Sequence, residues 1–342
     1  MHKFSIIIPF SEKNNLQEFE ETLVSVLENR PDFTEVIVAN GGGYRDPYHL
    51  SDEGVRFIDL GREVSPIRCI NEGVELAETP IVNILSCGTV VEEHWADQPL
   101  KMFDNGFVSA VMTPVFDRHH KNRLVSTGVV YHRQGVIRNQ KSLSPVTKPG
   151  SCVGPHIANV FYRKSVLSRI RGFSAKFCQQ IAYLDCSLTL ESLKQQMVLV
   201  PTSRVHFASQ TPLFSSIFER SRQTEQLFLH WAHQNSWWTN MVSNFLAVSA
   251  EYWGSFPKFR MHPLLIGRIA GLSHYGAHKI RQEELAQLVE EFTREEEFAG
   301  EEEFAGEKFT RMENDNDTDS EVIFSMEEAR ESLLSQTYSK AA

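Results

Sequence analysis

The chain has 342 residues, of which 41% are hydrophobic, and its formal net charge is −10. Residues 291–342 alone carry 16 acidic and five basic side chains, so residues 1–290 are almost neutral. A folded part without a basic surface stripe argues against a nucleic-acid partner. The five cysteines contain no Cys-x-x-Cys pair, which favours free thiols in a reducing cytoplasm over a disulfide framework or a zinc knuckle.

Hydropathy predicts no membrane-spanning segment, because no run of about 18 apolar residues is present. The first apolar run is short and ends at Pro9, which is unlike a signal peptide. We therefore expect a cytoplasmic protein, and peripheral association with the inner membrane face stays open.

The first 43 residues alternate between apolar runs and polar loops in the order of a βαβ unit. The β-branched run Phe4–Ile8 stops at a proline and predicts a buried parallel strand that ends there. Helical apolar spacing follows, and Val36–Val38 form a second buried run. Because ligands bind beyond the carboxyl ends of such strands, Pro9–Glu12 and Asn40–Gly43 should flank a site. The glycines of the second loop permit a positive φ and a close ligand approach.

Two more strands and a helix continue the alternation. The runs Val55–Ile58 and Ile81–Leu85 predict strands, and a helix between them begins at Pro66. Arg68 and Asn71 lie three residues apart on that helix and therefore project together.

These elements resemble the family 2 glycosyltransferases, which have the GT-A nucleotide-sugar-binding fold. The likeness is carried by S-I-I-I-P-F, by T-L-x-S-V-L and by E-V-I-V-A-N-G-G, and it extends in sequence order to His206. It implies an α/β fold with a Rossmann-like, mixed and mainly parallel sheet flanked by helices, followed by a C-terminal helical extension. It also implies transfer of a sugar from a nucleotide-sugar donor to an acceptor.

The resemblance places the nucleotide sugar at the strand ends and the loops behind them. Asn40 stands where the family has an acid that contacts the base, and it keeps hydrogen-bonding capacity without the charge. The donor would be linked to UDP, GDP or dTDP, and the acceptor would be a glycan or a lipid. The implied nucleotide-sugar-binding residues are Pro9, Phe10, Ser11, Glu12, Asn40, Gly41, Arg68, Asn71, Ser86, Cys87, Gly88 and His206.

The metal site is where the sequence departs from the family. After the strand Ile81–Leu85 the family has Asp-x-Asp, whose carboxylates hold Mg²⁺ or Mn²⁺ against the donor diphosphate. Here the residues are Ser86-Cys87-Gly88, which cannot replace two anionic oxygens. Glu92 and Glu93 follow, but we expect them to begin the next helix. The sequence therefore predicts no metal cofactor.

The acidic pair that deprotonates the acceptor in the family is also missing. Counting back from Val200-Pro201 leaves Asp185 at the third acidic place, which makes it the candidate base. The alternative is that Asp185 complements the N-terminal dipole of a helix over Cys186–Gln195. His206 resembles the family's V-x-H ending and would hydrogen-bond a phosphate or be a packed edge histidine.

Two functions stay open: an atypical or metal-independent glycosyltransferase, and a catalytically inactive GT-A-like protein that binds a ligand or partner. The predicted organisation is a GT-A-like domain over 1–210, a helical extension over 211–293 and an acidic, largely disordered tail over 294–342. In the extension, Trp237–Tyr252 is a second helical candidate, and Leu285, Leu288, Val289 and Phe292 mark a last amphipathic helix. For this last helix core packing is favoured over a membrane surface, because the strongly cationic face that membrane binding needs is absent.

Overall fold

The computed structural model describes residues 2–132, 134–143, 151–207, 216–232, 237–255, 261–272, 283–292 and 294. The chain divides into two compact units, Met1–Val289 and Glu290–Ala342. The predicted acidic tail lies outside the described residues, apart from residue 294. Among the described residues, no helix is both long enough and apolar enough to cross a bilayer.

The described residues form fourteen strands, eight α-helices and the 3-10 helix Met102–Asp104, besides a helical stretch at 283–292. The strands are β1 Phe4–Ser11, β2 Glu35–Gly41, β3 Val55–Asp59, β4 Ile81–Leu85, β5 Thr89–Val91, β6 Val108–Met112, β7 Val115–Asp117, β8 Leu124–Ser126, β9 Gly128–His132, β10 Val136–Gln140, β11 Ser151–Gly154, β12 Asn159–Arg163, β13 Gln196–Leu199 and β14 Val205–Phe207. The helices are α1 Leu16–Asn29, α2 Pro66–Leu76, α3 Asp97–Lys101, α4 Lys164–Arg169, α5 Gln179–Ser192, α6 Ile217–Trp231, α7 Trp237–Ser255 and α8 Met261–Leu272.

A seven-stranded sheet with the order β13-β6-β12-β4-β1-β2-β3 is the centre of the fold. Strands β4, β1, β2 and β3 are parallel to one another, and β12 runs antiparallel to both β4 and β6. At the middle of the sheet, Ile7 is paired with Ile37 on one side and with Ile84 on the other. This confirms the predicted mixed, mainly parallel α/β sheet flanked by helices.

Strand β1 continues through Pro9 to Ser11, so the prediction that it ends at the proline is wrong. The carbonyl of Pro9 faces the β4 side, where it lies 3.2 Å from the thiol of Cys87. Pairing with β4 has already ended at Ile7–Ile84, and in a parallel ladder both polar groups of a residue face the same neighbour. The missing N–H of Pro9 therefore removes no ladder hydrogen bond, and β2 keeps its pairing to Ser11.

Two predicted helix positions also need correction. Glu92 and Glu93 do not begin a helix, because α3 starts at Asp97 and His94 before it has a φ of 62°, outside the right-handed helical region. Helix α5 starts at Gln179 rather than at residue 186, which places Asp185 in its middle instead of at its N-terminus.

In the helical stretch 283–292, Leu288 and Phe292 are buried, which agrees with the core packing expected of the last predicted helix. The aromatic helix of the extension, α7, also forms as predicted. Trp238, Phe245 and Trp253 are exposed. The inward face instead includes Asn244, whose side-chain amide donates to the carbonyl of Gln134. Helix α8 was not predicted, because Pro263 was taken as an interruption; it lies in the first turn, where its missing N–H has no helical partner to lose.

Candidate functional site

A cavity of about 630 Å³ lies at the carboxyl ends of β1 and β4. Pro9 and Ser11 line it from the end of β1, and Ser86 and Cys87 line it from the turn directly after β4. In parallel sheets, ligands commonly bind at the edge formed by the carboxyl ends of the strands. The helices that follow the strands begin at this same edge. These four residues are the members of the predicted site that the structure brings together.

Most of the rest of the wall comes from the beginnings of four helices. Lys13 and Asn14 precede α1, Ser65–Ile67 open α2, Cys178–Gln180 open α5, and the first turns of α6 supply Glu219, Arg222 and Gln223. The remaining lining residues are Ile157, Lys176, Phe177 and Phe207. The N-terminus of a helix carries a partial positive charge and free backbone N–H groups. Their convergence makes the cavity a favourable environment for an anion.

The charged side chains of the lining strengthen this potential. Three of them are cations, Lys13, Lys176 and Arg222, whereas Glu219 is the single carboxylate among the described lining residues. Nε of Arg222 donates to Glu219 at 2.9 Å, and this guanidinium lowers the pKa of the Glu219 carboxyl. Gln223 also donates to Glu219, so the carboxylate is held within α6 and stays ionised. The lining therefore has an excess of positive charge.

The turn after β4 does not fit a divalent cation. The hydroxyl of Ser86 donates to the carbonyl of Ile157 at 2.7 Å and accepts from Nε2 of Gln179 at 2.8 Å. Burial raises the pKa of the Cys87 thiol, so it stays protonated. Mg²⁺ and Mn²⁺ favour carboxylate oxygens in such sites, and the side chains of this turn include none. Among the described residues, no group of three His, Cys, Asp or Glu side chains is placed to hold a metal ion.

Gln180 is a buried polar residue of the wall. Its side chain is 3% exposed, and its Nε2 donates to the carbonyl of Pro155 at 3.2 Å. Its Oε1 is buried and has no hydrogen-bond partner among the residues that the structure describes, which is energetically costly.

The two predicted asparagines hold the protein's own backbone. Asn40 donates to the carbonyl of Tyr44 at 2.8 Å and accepts from the N–H of Tyr44 at 2.9 Å. Asn71 makes the same pair of bonds to Phe173, at 2.8 and 2.9 Å. Both amides therefore fix loops of the protein, and neither residue lines the cavity.

Gly41 is required for close packing rather than for a left-handed backbone. A Cβ at this position would lie 2.7 Å from the sulfur of Cys69 and 2.8 Å from Cβ of Val64. The close approach predicted at Gly41 is therefore made by two of the protein's own residues, Cys69 of α2 and Val64. The positive φ, 71°, belongs to Gly43.

Four other predicted residues also lie outside the cavity lining. Phe10 packs on Phe19, with ring centroids 4.5 Å apart, and Glu12 and Arg68 are exposed to solvent. The N–H of Gly88 donates to the hydroxyl of Thr22 at 2.9 Å. The lining does not include these positions.

Asp185 and His206 are both buried away from the cavity lining. The carboxylate of Asp185 accepts a hydrogen bond from the indole N–H of Trp231 at 2.9 Å. Nε2 of His206 lies 3.0 Å from a carboxylate oxygen of Glu92, a contact at ion-pair distance that lacks the alignment of a hydrogen bond. Sequence reasoning chose these two residues from the family pattern and missed Lys13, Lys176, Gln180 and Arg222.

A scan against protein-family models and a search of curated proteins found no match. Solved structures do match. TarS 1–349 of S. aureus in complex with UDP-GlcNAc is 12% identical with a TM-score of 0.53, over 85% of this chain and 89% of that chain. TarS 1–349 in a second structure gives 13% identity and a TM-score of 0.50, over 86% and 91%.

GalNAc-T7 with UDP, GalNAc and Mn²⁺ is 12% identical with a TM-score of 0.51. The match covers 68% of this chain, which spans about half the length of the GalNAc-T7 chain, 49%. At such identities the likeness shows the fold alone. The fold is that of the GT-A glycosyltransferases.

Proposed function

We propose that the protein is a metal-independent glycosyltransferase that binds a nucleoside-diphosphate sugar in the cavity of about 630 Å³. One observation carries the proposal: the cavity at the strand ends of a GT-A fold is lined by three cations and one paired carboxylate. The diphosphate is the group of a nucleotide sugar that such a lining attracts. The donor is linked to UDP, GDP or dTDP, and the acceptor is a glycan or a lipid.

Sugar transfer requires compensation of the negative charge that develops on the leaving diphosphate. Lys13, Lys176 and Arg222 supply positive charge at the cavity wall, and the N-termini of α2 and α5 add backbone N–H groups. Together they take the role that a divalent ion has in other enzymes of this chemistry.

Binding without transfer is the second candidate, and one observation favours it. Glu219 is the single carboxylate of the described cavity lining, and its lowered pKa makes it a weak base for an acceptor hydroxyl. Asp185, the base expected from the sequence, contacts Trp231 instead. In this second candidate function, the protein binds the nucleotide sugar but does not catalyse sugar transfer.

Calorimetric titration with UDP, GDP and dTDP tests the nucleotide site. We expect Lys176→Ala to weaken binding of the preferred diphosphate by roughly three- to tenfold, because one charged contact is lost. Binding of the matching nucleoside, which has no phosphate, should not change. Lys121→Ala is the control, because Lys121 is exposed and lies outside the lining. A failure of all three nucleotides to bind would contradict the proposal.

Release of sugar from the preferred donor separates the two candidates. Donor hydrolysis by the wild type, reduced in Arg222→Ala, would support transfer. Tight donor binding without any hydrolysis or transfer to added glycan and lipid acceptors would support the second candidate.

A further inference from the structure

Helix α7 presents an apolar stripe to solvent. Its exposed large apolar side chains are Trp238, Val242, Phe245, Leu246 and Trp253. At 3.6 residues per turn, these positions fall on one face roughly 100° wide. A helix on the surface of a soluble protein normally turns its polar face outward, so α7 has the reverse arrangement.

The next helix, α8, repeats this arrangement. Its exposed large apolar side chains are Leu265, Ile266, Ile269 and Leu272. They too lie on one face of the helix, by their spacing of three and four residues. We call these four side chains and the five of α7 the apolar stripes.

The inward faces of both helices are fixed by specific contacts, so the outward orientation of the apolar stripes is built into the fold. On α7, Asn244 donates to the carbonyl of Gln134 at 3.0 Å. On α8, buried Arg268 donates to Glu225 of α6 at 3.0 Å and to the carbonyl of Gly135 at 3.2 Å. Gly267 packs so closely on α6 that a Cβ would lie 2.4 Å from the carbonyl oxygen of Phe218.

The charge of this part of the sequence identifies the partner. Between residues 237 and 281 there are five Lys or Arg and one acidic residue, Glu251. Glu251 is already bonded to Arg268 at 3.0 Å. In the sequence, the remaining cations flank α8 on both sides: Lys258 and Arg260 before it, Lys279 and Arg281 after it. Apolar stripes with tryptophans and flanking cations have the composition of interfacial membrane helices.

We propose that α7 and α8 dock on an anionic lipid bilayer, with the apolar stripes inserted at the level of the headgroups. Lys and Arg residues that are near such helices in the sequence are attracted by anionic lipid, and apolar side chains gain free energy from leaving water. Two copies paired through these helices would each carry the cationic excess of residues 237–281, and like charges oppose such pairing. The proposal goes beyond the nucleotide site and does not require sugar transfer.

Co-sedimentation of the full chain with vesicles tests the proposal. The vesicles are phosphatidylcholine alone, or phosphatidylcholine with roughly 30% phosphatidylglycerol. We expect binding to the anionic vesicles that decreases as salt is raised, and little binding to the neutral ones. Phe245→Glu and Ile266→Glu place a carboxylate in each stripe and should each reduce the bound fraction by roughly fivefold or more.

Phe107→Glu is the matched control, because Phe107 is 69% exposed and Phe245 is 70% exposed. Phe107 lies in the turn before β6, far along the chain from the stripes, so its substitution should leave vesicle binding unchanged. Equal loss in the control would overturn the proposal, as would a wild type that stays in the supernatant with both vesicles. A lipid-free dimer that Phe245→Glu dissociates would also overturn it, since a second copy would then cover the stripes.

Discussion

Asp185 was expected to be the catalytic base, but its side chain has a structural role. It is 2% exposed and accepts a hydrogen bond from the indole of Trp231, which belongs to α6. A buried indole N–H without an acceptor carries a desolvation cost of about 1–3 kcal/mol. The carboxylate therefore connects α5 to α6 and supports the helix that brings Arg222 to the cavity.

Substitution of Asp185 separates a structural role from a catalytic one. We expect Asp185→Leu to destabilise the fold by about 1–3 kcal/mol, because the indole N–H of Trp231 is left unpaired. Asp185→Asn keeps an oxygen acceptor and should lose much less stability and retain nucleotide binding. Urea denaturation followed by calorimetry measures both effects. An Asp185→Asn variant with normal stability and no donor turnover would instead identify Asp185 as the base.

The residues that were predictable at the site are those fixed by strand ends. Pro9, Ser11, Ser86 and Cys87 could be placed because a buried apolar run locates the end of a parallel strand. The sequence could not indicate that Asn40 would be occupied by the backbone of Tyr44, since an amide near a strand end serves a ligand or a loop equally well.

The cations were missed for a different reason. Lys13, Lys176 and Arg222 are far apart along the chain, and each alone is indistinguishable from an ordinary surface residue. Arg222 also lies beyond His206, where the family resemblance ends. Only the tertiary packing of α6 beside the start of α5 shows that they line one cavity.

At the scale of helices, tertiary contacts decide boundaries that local sequence does not reveal. Helix α5 begins at Gln179, although its N-cap residue, Cys178, makes no side-chain capping bond. The N–H of Cys178 is satisfied at 2.8 Å by the side chain of Gln223 on α6. Because this cap is supplied from 45 positions away along the chain, the usual start signals were absent and the predicted helix began too late.

Helix α8 packs closely against α6 at Gly267, so a substitution of Gly267 tests this packing. We expect Gly267→Ala to destabilise the protein by about 1–3 kcal/mol, since the added Cβ would meet a backbone oxygen that cannot move alone. This loss exceeds the gain of about 1 kcal/mol that alanine brings to a helix. Gly106→Ala is the control, because its Cβ would meet no heavy atom within 4 Å. Thermal unfolding with an unchanged midpoint in Gly267→Ala would contradict the packing.

At the scale of the molecule, the sheet and the helical character of the C-terminal extension were predictable, whereas the faces that its helices turn outward were not. The buried runs of β1, β2 and β4 have an apolar pattern that only a central parallel strand explains, and their register confirms it. The helices after β14 carry apolar residues on faces that turn outward as well as inward. Their sequence pattern therefore could not tell a core face from an exposed one.

The whole molecule joins a GT-A sheet to a cavity whose charge is positive without a metal ion. Helices α5 and α6 complete that cavity, which explains why residues beyond the resemblance contribute to it. The apolar stripes of α7 and α8 belong to the same compact unit, so a membrane-docked protein would present its nucleotide site and its lipid surface in one unit.

Whether a divalent ion contributes to binding is measured by the affinity for the preferred nucleoside diphosphate, determined by calorimetry with EDTA and again with saturating Mn²⁺. We expect equal dissociation constants within roughly twofold, because Lys13, Lys176 and Arg222 supply the positive charge. The competing expectation is that a cation bridges the diphosphate to the turn at Ser86-Cys87-Gly88. An affinity that rises by tenfold or more with Mn²⁺, roughly 1.4 kcal/mol, would contradict the account.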